Sequence, residues 1–153
     1  MMKLRELLNG LDILETNAEL DSDIREVRYD SRLVESGDLF IAVTGAETDG
    51  HKYIEKAAQS GAVCTVCERE PETDIPYVLV PDARAALAAL GANWFGHPSD
   101  SMCMIGITGT NGKTTSTYLL KHVLEETLGA KVGLIGTIQN MIGDEILHTE
   151  RTT

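Results

Sequence analysis

Gly106-Ile107-Thr108-Gly109-Thr110-Asn111-Gly112-Lys113-Thr114-Thr115 is the stretch on which the fold of this 153-residue chain is read. Before it, Met102 to Thr108 is a run of mostly apolar residues that predicts a buried strand. After it, Lys113 to Leu128 carries Leu120, Val123, Leu124 and Leu128 at helical spacing, and Gly129 supplies the stop. A glycine loop between a strand and a helix N-terminus is what a phosphate chain requires. The first N–H groups of a helix have no intrahelical partners, and the helix dipole puts partial positive charge at the same end. Gly109 and Gly112 let the backbone fold around oxygen atoms that a Cβ would block. Lys113 is a point charge for the β- and γ-phosphates, and the Thr114 hydroxyl is placed to ligate a bridging Mg²⁺. One departure stands out: the general G-x-x-x-x-G-K-[ST] pattern wants glycine where Ile107 stands, and here that glycine is one place earlier, at Gly106.

Working outward, Lys131 to Thr137 predicts the next strand, which completes a βαβ unit with a right-handed crossover. Asn140 to Asp144 reads as a turn between two short extended pieces. A complete phosphate-loop enzyme also needs an acidic residue to hold the metal, usually at the end of a later strand, and none is evident after Thr115. Asp82, after Tyr77-Val78-Leu79-Val80-Pro81, mimics such a strand end but reads as a helix cap. A doubly wound domain is built from several βαβ units of roughly 30 residues each. The expectation is that the chain stops part-way through this second domain.

Residues 1–98 alternate short helices and strands. Lys3 to Leu8 reads as a helix, Ile24 to Arg32 as extended, and Leu39 to Val43 as a buried strand. Asp49 is placed to cap a helix that runs to Ser60, with Tyr53, Ile54, Ala57 and Ala58 inward and Gly61 as its stop. Ala62 to Cys67 and Tyr77 to Val80 are further strands. Asp82 opens an Ala-rich helix with Leu87, Leu90 and Trp94 on one stripe, and Gly96-His97-Pro98-Ser99-Asp100 breaks it as the best linker. The expected fold class is α/β: a mixed α/β domain over residues 1–98, then the start of a P-loop doubly wound domain over residues 99–153.

Composition narrows the function classes. Apolar residues make up 42% and charged residues 24%, which is ordinary globular usage and excludes a disordered chain. With 13 basic against 24 acidic residues the formal charge is −11, so the basic footprint of a nucleic-acid binder is missing. The longest nearly apolar stretch, Ala85 to Ala92, falls far short of the ~18–20 residues that span a bilayer, and nothing near Met1 reads as a signal peptide. Three cysteines, an odd number, fit a reducing compartment, so a cytoplasmic protein is expected.

With Tyr29-Asp30-Ser31-Arg32, Gly37-Asp38-Leu39-Phe40-Ile41-Ala42-Val43, Asp49-Gly50-His51, Tyr53-Ile54 and Gly61-Ala62, the loop Gly109-Thr110-Asn111-Gly112-Lys113-Thr114-Thr115 resembles the Mur ligases. These are the ATP-dependent amino-acid-adding enzymes of peptidoglycan synthesis, and the resemblance covers essentially the whole chain. Thr110 in the loop and the final Glu150-Arg151-Thr152-Thr153 favour the branch that adds the third residue (MurE-type) over the D-Ala-D-Ala-adding branch.

The resemblance implies an N-terminal uridine-nucleotide domain followed by the opening of an ATPase domain. It implies an acyl phosphate formed by ATP on the D-Glu carboxylate of UDP-N-acetylmuramoyl-L-Ala-D-Glu, then attack by the amine of meso-diaminopimelate or L-lysine. Residue by residue, Gly109 to Thr115 would bind ATP, Lys113 would act in catalysis and Thr114 would hold Mg²⁺. Ser31 would contact the uridine diphosphate, and Thr152 and Thr153 the muramoyl-peptide. No catalysis is expected of this chain by itself. A small-molecule kinase shares the loop but leaves residues 1–98 unexplained, and a non-catalytic nucleotide-binding module is the non-enzyme alternative.

The remaining signals read mostly as structure. Cys64-Thr65-Val66-Cys67 lies in an apolar strand, so its thiols point to opposite faces and the pair is structural, and Cys103 reads as core. His51, His97, His122 and His148 lack ligand-spaced partners, which argues against zinc. His51, after Asp49-Gly50, is a candidate for orienting a loop near substrate. Asp30 and Arg32 pair on the surface or Arg32 shapes the site. Trp94 packs at the domain boundary, and the acid runs Asp21–Asp23 and Glu68–Glu72 are solvated loop charge.

Overall fold

The computed structural model describes residues 1–45 and 48–147. It divides into two compact units, Met1–Met102 and Cys103–Thr153, with the division falling at Met102 rather than at the Pro98 linker.

In the first unit the strands are β1 (Met2–Lys3), β2 (Glu15–Thr16), β3 (Asp23–Ile24), β4 (Val27–Arg28), β5 (Leu39–Ile41), β6 (Cys64–Cys67) and β7 (Tyr77–Leu79). The helices are α1 (Leu4–Leu7), α2 (Ile54–Gln59) and α3 (Ala83–Trp94). Five strands form one sheet in the order β2-β7-β6-β5-β4. The four from β4 to β7 run parallel, in register Val27↔Leu39, Leu39↔Cys64 and Val66↔Val78, and β2 closes the edge antiparallel. The small antiparallel pair of β1 with β3 was not anticipated, because two-residue strands leave no periodicity to read.

Parallel strands must be covered on both faces, and the alternation of side chains sorts them accordingly. Leu39, Ile41, Cys64, Val66 and Val78 join Leu4, Leu7 and Leu90 in one core beneath α1 and α3. Phe40, Ala42, Cys67 and Tyr77 join Val34, Ile54 and Ala57 in a second core beneath α2. Each fully buried Leu or Ile stabilises by about 1.5–3 kcal/mol relative to exposure. Asn93 ties the layers, its Nδ2 donating to the carbonyls of Leu7 at 2.7 Å and Asn9 at 2.8 Å.

Local capping follows the sequence. The Asp82 carboxylate accepts from the N–H groups of Arg84 and Ala85 at 2.8 and 2.9 Å and starts α3. Gly96 and His97 end it in the left-handed region at φ 68° and 53°, with the His97 N–H on the Ala92 carbonyl at 2.8 Å. The helix expected from Asp49 to Ser60 begins as one 3₁₀ turn, Gly50–Tyr53, before α2 takes over, and Tyr53 is exposed rather than inward. Trp94 packs against the core under α3 as expected.

The second unit departs from its expectation. The long helix α4 (Lys113–Leu128) forms and stops at Gly129, in the left-handed region. The βαβ unit does not. Gly133–Leu134 (β8), Asn140–Ile142 (β9) and Glu145–Leu147 (β10) make an antiparallel meander, turning at Gly143. Asn140 to Ile142 is therefore strand, not turn, and the strand expected over Lys131 to Thr137 is reduced to Gly133–Leu134.

Among the described residues, Met102 to Thr108 has no strand partner. Met104 and Ile105 are 68% and 54% exposed, and Cys103 is exposed rather than core. A buried parallel strand needs neighbours on both sides and layers on both faces. Among the described residues Met102 to Thr108 has neither: the second unit's strands form only the three-stranded meander. The expected apolar face of α4 is uncovered for the same reason: Leu120 and Leu124 are half-buried, while Val123 is exposed and Leu128 is 72% exposed. The buried residue of α4 is Lys121, its amine 2.5 Å from Glu125.

Candidate functional site

The glycine loop lies at the mouth of α4. Gly112 is the N-cap residue at φ 76°, and no side chain caps the helix. Gly109 is also at positive φ, and a Cβ at Gly112 would meet nothing within 4 Å, so the space beside it is open. Lys113 reaches back across that space, its Nζ donating to the Gly109 carbonyl at 2.6 Å, and the residue is exposed. Thr110, Asn111 and Thr115 are exposed and Thr114 is half-buried. An uncapped helix N-terminus with one lysine and three threonine hydroxyls beside it can receive a polyphosphate. Among the described residues there is no group of three His, Cys, Asp or Glu side chains able to hold a metal.

In the first unit, the loops that leave the carboxyl ends of the parallel strands form the second candidate site, the place where ligands sit in open α/β sheets. The turn after β4 holds Ser31, which is buried, between Asp30 and Arg32. Those two pair as expected: Arg32 Nε lies 2.9 Å from Asp30 Oδ1, and Arg32 remains on the surface. The loop after β5 closes tightly. Thr44 bridges Asp49, the Gly45 N–H donates to the Thr48 carbonyl at 2.8 Å, and the Gly50 N–H donates to the Val43 carbonyl at 3.0 Å.

Asp49 is the hub of that loop. Its Oδ1 accepts from the His51 N–H at 3.0 Å and meets His51 Nδ1 at 2.7 Å, while Oδ2 pairs with Arg69. The Arg69 hydrogen bond, followed by those from His51, holds the Asp49 carboxyl well below the usual carboxylate range. The His51 ring, only 4% exposed, accepts the Glu68 N–H on Nε2 at 3.0 Å. The Glu68 carboxylate caps the Ala83 N–H at 2.9 Å and lies 3.4 Å from the Thr44 hydroxyl. Glu68 thus departs from the expectation of solvated loop charge: it joins three chain segments. The only signal for this network in the sequence was Asp49-Gly50-His51, because Glu68 and Arg69 enter from a distant strand end.

At the opposite, amino edge of the sheet, Asp38 is fully buried. It accepts from Arg25 Nε at 2.9 Å, Arg25 Nη2 at 3.0 Å and the Glu35 N–H at 2.9 Å. Asp38 in turn raises the Arg25 pKa, chiefly through that hydrogen bond. Asp21 and Asp23 pair with Arg5 and Lys3 on the surface. Cys64 and Cys67 belong to opposite cores, and burial pushes their thiols up to about 12 and about 11. Thr152, Thr153, Arg151 and His148 lie outside the described residues.

Known proteins match both parts of the chain. A model described as "Mur ligase family, catalytic domain" matches residues 23–95, and one described as "Mur ligase middle domain" matches residues 107–153. The UDP-N-acetylmuramoyl-L-alanyl-D-glutamate–2,6-diaminopimelate ligase of Clostridium tetani is 45% identical over 99% of this chain and 32% of its own length. The ligase of the same name from Caldanaerobacter subterraneus subsp. tengcongensis is 47% identical over 99% of this chain and 32% of its own. The chain thus spans about a third of the length of these curated relatives.

Among solved structures, MurF from Acinetobacter baumannii superposes with a TM-score of 0.60 at 28% identity, over 82% of this chain and 28% of that one. A structure of a UDP-N-acetylmuramoyl-L-alanyl-D-glutamate–2,6-diaminopimelate ligase superposes at 0.68 and 24% identity, over 95% of this chain and 29% of that one, which shows the shared fold. MurF from Thermotoga maritima, solved in complex with ADP, gives 0.51 at 31% identity over 70% of this chain and 25% of its own.

Proposed function

The chain belongs to the Mur ligase family, with a mixed α/β fold, and on that premise we propose that it carries the uridine-nucleotide and ATP-phosphate sites of a diamino-acid-adding ligase of peptidoglycan synthesis. The donor acid is UDP-N-acetylmuramoyl-L-Ala-D-Glu. The acceptor is meso-diaminopimelate rather than L-lysine, a choice supported by the names of the curated relatives at 45–48% identity. The alternative D-Ala-D-Ala-adding role is favoured by structural neighbours at 28–31% identity. A cytoplasmic setting follows from the nucleotide substrates. No helix among the described residues is long and apolar enough to cross a membrane.

The observation that carries this reading is the uncapped, glycine-lined mouth of α4 with Lys113 across it. A carboxylate is a poor electrophile, and phosphorylation by ATP converts one of its oxygens into a leaving group that an amine displaces. Gly109 to Thr115 hold the polyphosphate. Lys113 moves from the Gly109 carbonyl to the phosphate oxygens and balances the charge that shifts during transfer. Mg²⁺, with Thr114 as its protein ligand, supplies further neutralisation when bound. Ser31 contacts the uridine diphosphate and Thr152 and Thr153 the muramoyl-peptide, in a division of labour between residues 1–98 and 99–153.

Lys113→Ala tests the assignment. Losing a lysine–phosphate contact of about 3 kcal/mol weakens ATP binding by roughly a hundredfold or more, whereas titration with the UDP-muramoyl-dipeptide stays within twofold of the parent. Loss of both binding events would refute the two-site reading, and unchanged ATP binding would refute the phosphate loop.

A further inference from the structure

The dipeptide Asn-Gly occurs twice in the chain, at Asn9-Gly10 and at Asn111-Gly112, and its two settings differ. An asparagine loses its amide most readily before glycine, because a following residue without a Cβ leaves its backbone nitrogen open to the side-chain carbon. At the first site the backbone is held. The Asn9 N–H donates to the Glu6 carbonyl at 3.3 Å, and the Asn9 carbonyl accepts from Asn93 Nδ2 at 2.8 Å, which resists the rotation that ring closure needs. The second site has no such restraint. Asn111 and Gly112 are exposed and outside any helix or strand. Among the described residues, neither the Asn111 side chain, its carbonyl nor the Gly112 N–H makes a hydrogen bond. The sites also lie at opposite helix ends. Asn9 follows α1, whereas Gly112 is the N-cap of α4, where the partial positive charge of the dipole favours the amide anion that attacks.

We propose that Asn111 is a modification site of the phosphate loop, whose conversion to aspartate or isoaspartate disables the loop and which a bound polyphosphate protects. Solvent hydroxide takes the Gly112 amide proton, and the nitrogen bonds to Asn111 Cγ. The Cγ–Nδ2 bond then breaks, and ammonia leaves after gaining a proton from water. A second water opens the succinimide at one of its two carbonyls, giving aspartate or isoaspartate. Either product sets a negative charge beside the phosphate oxygens, and isoaspartate also adds a methylene to the backbone that aims the N–H groups. Phosphate protects because it accepts from the Gly112 N–H and so occupies the nucleophile. The loss of function and the protection rest on the phosphate-binding reading above, while the conversion itself rests on the dipeptide and its exposure.

The test incubates the chain in mildly alkaline buffer, with and without Mg-ATP, and follows the amide-to-acid mass gain at both dipeptides by peptide mass spectrometry. Without ATP, Asn111 is expected to convert about fivefold or more faster than Asn9. ATP at about ten times its Kd is expected to slow Asn111 roughly tenfold and to leave Asn9 unchanged. Calorimetric titration of Asn111→Asp, which carries the new charge from the start, is expected to show ATP affinity weaker by about tenfold or more. Conversion of Asn111 no faster than that of Asn9 overturns the proposal and leaves the phosphate loop standing. So does parent-like ATP affinity in Asn111→Asp, or conversion that ATP fails to slow in a parent chain that binds it. A parent chain that binds no ATP while Asn111 converts overturns the phosphate-loop reading instead, and with it the protective role of the nucleotide.

Discussion

The two units answer the same kind of sequence signal in opposite ways. In the first, Leu39 to Ala42 is a short apolar run and every residue of it is buried, because β4 and β6 flank it and helices cover both faces. In the second, Met102 to Thr108 is an equally apolar run, and Met104 and Ile105 face solvent. An apolar run specifies a demand for cover, and only neighbouring chain satisfies it. Hydrophobicity in a sequence is therefore a statement about partners as much as about the segment itself.

The largest test of that contrast is Lys113→Ala, which leaves the first unit intact and removes ATP binding from the second. Asp38→Ala strikes the other side. It removes the buried partner of Arg25 and leaves that guanidinium only the exposed Glu35, an effect read as a lowered urea midpoint with ATP binding spared. A small effect there would mean that the Arg25–Asp38 cluster is ornament rather than anchor. Thiol alkylation compares the units directly. Cys103 is exposed and is expected to react with iodoacetamide in the native chain, while Cys64 and Cys67, buried and with pKa values pushed up by that burial, react only after unfolding. Rapid labelling of all three would show the first core to be loose.

Smaller effects sharpen the picture. Asp49→Asn weakens the 3₁₀ turn and the Arg69 pair by about 1–2 kcal/mol at neutral pH. The Asp49 carboxyl is held below its ordinary 3.8, so on acidification the unfolded chain takes up this proton first. The advantage of aspartate over asparagine is thus complete above pH ~5 and fades as pH falls below ~4. Equal stability of the two at pH 7 would remove the hub role. Gly91→Ala works in the other direction, because a Cβ there meets nothing within 4 Å, and it should raise stability by about 0.5–1 kcal/mol in thermal melts.

What the residues disclosed in advance follows the range of the interactions. The Asp82 cap, the stop at Gly129 and the glycine loop depend on neighbours within a few positions, and all were legible. The Asp38 cluster was not, because Gly37-Asp38 reads as a turn until Arg25 arrives from another strand. Glu68 passed for surface charge because its partners Thr44, His51 and Ala83 lie 15 to 24 residues away. The meander of β8 to β10 was misread for a different reason: Lys131 to Thr137 carries enough apolar residues for a longer strand, but pairing with β9 settles how much of it is used. Ser31 and the phosphate loop were singled out by pattern, and the structure adds burial to the one and exposure to most of the other.

Gly50 has a consequence beyond its own turn. A Cβ there would stand 2.6 Å from the Val43 carbonyl oxygen and 2.7 Å from the Val43 nitrogen, contacts no rotamer can relieve because both belong to backbone. In a saturation library of this chain, position 50 should return glycine alone, whereas Gly91 tolerates a spectrum of side chains. Sequence change around this turn must therefore fall on neighbouring positions while Gly50 itself stays fixed.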